Sequence, residues 1–242
     1  REDAAGAEFE VFDFAGRRNA VVRGAGDGQL RLGEQFGGEV GLAEHQGGAH
    51  GQRCLATREK LLAACPEPDI LVNNNGGPPP GRFQDWDNAA WLGALESNML
   101  APIAMIRAVV DGMVERRFGR IVNITSAMVK APQGPMGLSC GARAGLTSAC
   151  KALSAQVAWA NVTINNLLPE RIDTDRQVQI ANLTAAVKGI TVEQAYDEMK
   201  QHIPAHRLGR PEEMGEACAF LCGAGAGYIT GQNLQLDGGA YP

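Results

Sequence analysis

The sequence predicts a doubly wound parallel α/β sheet in a single domain, with helices on both faces. Three observations carry that expectation. From residue 69 onward, short apolar strands alternate with longer stretches whose apolar residues recur every three or four positions, as they do when parallel strands are joined by crossover helices. A β-branched run at 19–22 leads into Gly24-Ala25-Gly26-Asp27-Gly28 and then a helix-like stretch to residue 36, the strand, glycine turn and helix that open such a sheet. The 242 residues, 45% hydrophobic with 31 glycines, suffice for one core of this kind.

Taken in order, residues 1–15 read as an acidic tail in which Phe9, Val11, Phe12 and Phe14 are interspersed with charge. Segment 37–56 holds short strands at 39–43 and 52–56 but is cramped, since a full strand, helix and strand takes at least about 30 residues. A second helix is not expected there. A helix at 57–65 precedes a strand at 69–72, nearly all apolar as in a sheet buried on both faces. After it, Gly77-Pro78-Pro79-Pro80-Gly81 forms a stiff turn, because proline fixes φ and removes a donor.

Downstream the alternation is cleaner. A helical stretch at 88–117, interrupted near Pro102, is followed by strand 120–124 and helix 141–159, whose Leu146, Ala149, Leu153 and Val157 form one core-facing stripe. Strand 162–168, helix 211–222 and strand 232–236 complete the sheet. Residues 171–206 have no place in it. Thr191-Val192-Glu193-Gln194 is a capping box opening a helix at 195–201, and Gly189 separates this from another helical piece. An insertion here, after a strand's carboxyl end, reads as a lid over a substrate pocket.

A net charge of −5 and a pI near 5.4 exclude nucleic acid and anionic membrane as main partners, which demand a basic face. A small-molecule substrate is the expected partner. No apolar run reaching the roughly 18 residues of a spanning helix is read from the sequence, and the start has neither a basic nor an apolar leader segment, so a cytoplasmic protein is expected. The six cysteines (54, 65, 140, 150, 218 and 222) lack zinc spacing and read as reduced, mostly core-filling thiols, with no metal site.

Residues 119–145 (GRIVNITSAMVKAPQGPMGLSCGARAG), with Asn73-Asn74-Asn75-Gly76 upstream and Asp237-Gly238-Gly239 at the end, resemble the short-chain dehydrogenase/reductase family. The resemblance implies a Rossmann-like fold, a bound NAD or NADP and hydride transfer between it and a carbonyl or alcohol. In that family a serine holds the carbonyl, a tyrosine exchanges the proton, a lysine lowers the tyrosine pKa and grips the nicotinamide ribose, and an asparagine organises a water relay. Carried over by position, the asparagine is Asn98 and the serine Ser126. The tyrosine and lysine places hold Ser139 and Arg143.

An aliphatic hydroxyl is far less acidic than a phenol, so Ser139 is a poor general acid. Arg143 keeps the charge but does not deprotonate. The resemblance also implies cofactor contacts from Gly24 and Gly28, although Arg23 and Leu30 stand where the glycine motif has threonine and its last glycine. Asn74 and Gly76 would border the adenine side, and Ile172 and Thr174 the nicotinamide, with Glu170 in place of a glycine. Glu44, twenty residues after Gly24, has the spacing of a ribose-binding carboxylate, favouring NAD over NADP; a solvated loop acid is the commoner explanation.

Of other candidates, Tyr196 reads as an anchor on the lid, Lys130 as a solvated lysine, Cys140 as a packed thiol at a helix start, and the four histidines as loop residues. Three functions remain open. The first is an oxidoreductase using Asn98, Ser126, Ser139 and Arg143; the second is a catalytically silent structural subunit. The third is a cofactor-free lyase like the halohydrin dehalogenases, which Arg143 favours and Ser139 opposes. The family resemblance implies a homo-oligomer, tetramer or dimer.

Overall fold

The computed structural model describes residues 8–14, 17–23, 63 and 65–241. Gly24, Gly28, Glu44, the 37–56 segment and nearly all of the helix expected at 57–65 lie outside the described residues. One six-stranded sheet runs in the order β1 (Glu8–Phe14), β2 (Arg17–Arg23), β3 (Ile70–Asn74), β4 (Gly119–Ile124), β5 (Val162–Pro169), β6 (Asn233–Leu236). Strands β3 to β6 are mutually parallel, as expected. The first two are not. β1 lies in the stretch read as a tail and pairs antiparallel with β2, which pairs antiparallel with β3, setting Ala20 opposite Val72. A connection of only two residues joins β1 to β2, and so short a link turns the chain back on itself.

The helices are α1 (Asn88–Leu95), α2 (Ala101–Arg116), α3 (Gly137–Val157), α4 (Asp175–Lys188), α5 (Val192–Gln201) and α6 (Pro211–Cys222). The interruption expected near Pro102 is a π-helical turn, Glu96–Leu100, between α1 and α2. Pro102 sits in the first turn of α2, where a missing N–H costs least. The continuous run Asn88–Arg116 is long and apolar enough by composition to span a membrane, contrary to the expectation above. Its Met105, Ile106, Val109 and Met113 pack on the sheet, which makes it a core helix in this fold.

Because β3, β4 and β5 are covered on both faces, alternate residues enter two cores. Leu71, Ile121 and Ile164 meet α2 and α3, including Leu146, Cys150 and Val157. Ile70, Val72, Val122, Ile124 and Leu167 meet Cys218, Leu221 and Cys222 of α6. The buried thiols thus fill core as expected, and burial pushes Cys150 up to about 11. A third cluster, Ala181, Ala185, Ala195, Met199, Ile203 and Leu208, holds α4 to α5. The Thr191 and Gln194 capping box forms as the sequence predicts, and Tyr196 packs at this cluster's rim.

One row of the α2/α3-facing side is polar. Asn73, Asn123, Asn166 and Asn233 stand opposite one another across β3 to β6, and their amides join head to tail. Asn73 Nδ2 donates to Asn123 Oδ1 (2.9 Å), Asn123 Nδ2 to Asn166 Oδ1 (3.0 Å) and Asn166 Nδ2 to Asn233 Oδ1 (2.8 Å). In a dry interior such amides polarise one another. Asn123→Leu leaves Asn73 Nδ2 and Asn166 Oδ1 buried without these partners. At about 1–3 kcal/mol per orphaned group, partly offset by apolar burial, a loss of about 2–4 kcal/mol is expected in urea unfolding. An unchanged midpoint would show the ladder to be dispensable.

Candidate active site

The carboxyl ends of β3 and β4 are tied together by one side chain. Arg143, in the second turn of α3 and only 6% exposed, donates through Nη1 to the carbonyls of Ile124 (3.1 Å) and Thr125 (2.7 Å), and through Nη2 to the carbonyl of Asn75 (2.7 Å). Nη1 thus serves two main-chain carbonyls and Nη2 a third. The planar fork suits this splayed set of acceptors, which a lysine point charge would serve differently. Ribose or halide binding by Arg143 is correspondingly restricted, and the lyase reading loses its main support.

Ser126 follows Thr125 directly. Its Oγ accepts from the Met128 amide (3.2 Å) and caps a short 3₁₀ turn, Ala127–Val129. Ser139 lies one helical turn before Arg143 and is 2% exposed. Asn98 occupies the π-helical turn, which packs against α3. Its Nδ2 donates to Ser97 Oγ (2.7 Å), while its buried Oδ1 has no hydrogen-bond partner. Asn75 Oδ1 is likewise buried and unpartnered. Arg143 thus joins the strand ends beside Ser126 to the helix bearing Ser139, with Asn98 on the helical layer packed against it.

On the neighbouring strand, Pro169 leads to Glu170, whose carboxylate lies 3.7 Å from Arg171 and takes a long hydrogen bond from the Tyr241 hydroxyl (3.4 Å). Burial is the largest influence on Glu170 and pushes its carboxyl above the ordinary range. Gln133 donates to the same tyrosine oxygen, so the C-terminal segment closes over the loop before α3. Ile172 bridges to Gly209, and Thr174 Oγ1 donates to the Ile172 carbonyl (3.3 Å). Asn74 ends β3, and Gly76 and Gly77 are exposed beyond it. Lys130 reaches Gln235 Oε1 (3.0 Å). Cys140 is half-buried, its Sγ 3.9 Å from the Gln133 carbonyl. No cluster of metal-ligating side chains occurs among the described residues.

The residues present have the donors, acceptors and open main chain that a dinucleotide requires. The unpartnered Asn75 Oδ1 is an acceptor at the strand ends, exposed glycines 76 and 77 offer open main chain, and Thr174 begins the helix that follows β5. Sequence reasoning missed the arginine's three carbonyl bonds and the closing role of Tyr241. The first had a visible signal, an arginine on the core-facing side of a helix with no acidic residue within four positions in the sequence. The second had none.

Comparison with known proteins agrees with this geometry. A family model described as enoyl-(acyl carrier protein) reductase matches residues 50–241. Nodulation protein G of Azospirillum brasilense is 34% identical over 189 residues, covering 78% of this chain and 72% of its own. Acetoacetyl-CoA reductase of Cupriavidus necator is 34% identical over 185 residues, covering 76% and 70%. Among solved structures, YwfH, an NADPH-dependent reductase involved in bacilysin biosynthesis, superposes with a TM-score of 0.72 at 31% identity, covering 78% of this chain and 73% of its own. With these matches in sequence and fold, the chain belongs to the short-chain dehydrogenase/reductase family, oxidoreductases that transfer hydride between a nicotinamide cofactor and a carbonyl or alcohol.

Proposed function

We propose that the chain reduces the carbonyl of a small molecule with NADPH, slowly, through an altered proton-delivery apparatus. Asn98 carries this reading: it is 1% exposed, beside α3, and its Oδ1 lacks a partner, as suits an acceptor in a water relay. Bound NAD(P)H would supply the hydride. Ser126 would hold the carbonyl oxygen, and a water ordered by Ser139 and Asn98 would deliver the proton that a phenol gives elsewhere. Ile172 and Thr174 would hold the nicotinamide half, Asn74 and Gly76 would border the adenine side, and Gly24, Gly28 and Glu44 would hold the rest of the adenosine half. Arg143 would act chiefly by fixing the floor of the site.

The choice of NADPH rests on two relatives, the NADPH-dependent reductase YwfH and the actinorhodin polyketide ketoreductase solved with NADPH; the Glu44 spacing favours NADH. Helices α4 and α5, over 171–206, would close on the substrate as a lid. A homo-oligomer acting in the cytoplasm, tetramer or dimer, accords with the exposed Leu92, Leu100 and Trp159. Titration with NADPH and with NADH, read by nicotinamide fluorescence and melting temperature, is expected to give saturable binding tighter for NADPH. Absence of binding by either at millimolar concentration would overturn the oxidoreductase reading and return the weight to a silent structural subunit, which the main-chain commitments of Arg143 would then explain.

A further inference from the structure

We propose that a second site, for a phosphate-bearing small molecule, lies in the groove between α3 and the entrance to the edge strand β6. The groove encloses about 440 Å³ and is lined by Lys130, Thr147, Ser148, Lys151, Gly231 and Asn233, among others. That volume is within the range of about 300–1,000 Å³ usual for small-molecule pockets. Thr147 follows Ser139 by eight residues on one helix, about 12 Å along its axis at 1.5 Å per residue. The groove runs down α3 away from the site, Thr147 lying one turn and Lys151 two turns past Arg143, while its other wall, Lys130, ends the turn that Ser126 caps.

Its chemistry is donor-rich. Two ammonium groups face it, no carboxylate lines it, and neither lysine makes an ion pair among the described residues. Lys151 Nζ donates to the Gly231 carbonyl (2.9 Å) and Lys130 Nζ to Gln235 Oε1 (3.0 Å), which uses one of three hydrogens on each. Gly231 sets the first lysine in place. At φ 66° it has a backbone that L side chains rarely adopt, and a Cβ there would stand 2.9 Å from Lys151 Cδ and 2.6 Å from Ser154 Oγ. Any side chain at 231 would displace the lysine.

The asparagine ladder ends in the same groove, and its direction matters. Each amide donates toward β6, so Asn233 receives a bond at Oδ1 and keeps its two amide hydrogens to give, while the unpartnered oxygen is at the far end, on Asn73. A chain of amides so aligned places its positive end between the two lysines. The acceptors Gly231 O and Asn233 Oδ1 are thus engaged within the protein and Gln232 Nε2 is given to the Thr230 carbonyl, so that against the single open acceptor Gln232 Oε1 stand two ammoniums, an amide and the exposed Ser148 hydroxyl to donate. On a chain of net charge −5, this arrangement selects a compact anion with several acceptor oxygens, and a phosphate group has both properties.

The test uses the full chain and pyrophosphate as probe, by isothermal titration, with sodium chloride at matched ionic strength as the control. Saturable binding is expected, weakened by about tenfold or more in Ser148→Asp, which sets a carboxylate among the lysines, and in Lys130→Gln/Lys151→Gln. Ser148 is exposed, so its variant is expected to melt with the wild type, and it decides the matter if the lysine double variant fails to fold. Equal heats from sodium chloride would overturn the proposal. Pyrophosphate binding unaffected by Ser148→Asp would also overturn it, by placing the anion elsewhere, as at the dinucleotide site.

Discussion

Installing tyrosine at 139 and lysine at 143 together is expected to raise carbonyl reduction by about 10²–10⁴, the usual contribution of a positioned general acid. The scaffold for that acid is in place. Ser126 stands at the end of β4, Asn98 is buried in the π-helical turn, and position 139 lies in the first turn of α3 between them and Arg143. What is lacking is a group whose pKa can approach neutrality: a phenol near 10 can be brought down by an adjacent cation, whereas a serine hydroxyl cannot. Arg143 is a cation, but its Nη1 is spent on two carbonyls. Ser139→Tyr alone should therefore gain less than the pair. NADPH oxidation with a panel of ketones, across pH, is the measurement. A folded, cofactor-binding double variant no faster than the parent would show that more than proton delivery is missing.

Legibility in the sequence followed the range over which each structural feature is determined. The parallel strands at 119–124 and 162–169 and helix α6 were readable within a residue or two, because short buried runs rich in apolar and β-branched residues and a proline-initiated amphipathic stretch are local signals. The capping box at Thr191 was readable for the same reason. The direction of the first strands was not, since it is set by pairing with β3, far along the chain, and not by the apolar run itself. Ser126, Ser139, Arg143 and Asn98 could be named from the family resemblance. The commitments of Arg143 could not, because its acceptors come from Asn75 and from Ile124 and Thr125, far apart in the chain. The asparagine ladder is a similar case: four unremarkable residues acquire meaning only once three inter-strand registers are known.

Those same commitments make Arg143→Ala the most destabilising single change expected at the site. Three main-chain carbonyls would lose a charged donor, each such bond being worth about 1.5–3 kcal/mol. Water entering from the strand ends would restore part, so a net loss of about 4 kcal/mol is expected. For a domain of this size that corresponds to a fall in melting temperature of roughly 8–16 °C. Arg143→Lys should recover a portion, since an ammonium can still donate to two or three of the carbonyls, though without the planar fork. The comparison separates two roles that activity alone would confuse. If Arg143→Ala melts with the wild type, the guanidinium is not a strut and is available to a ligand. If it melts far lower while Arg143→Lys is intermediate, evolution at this position has exchanged a ribose-binding cation for one that fastens the two strands on which Ser126 depends.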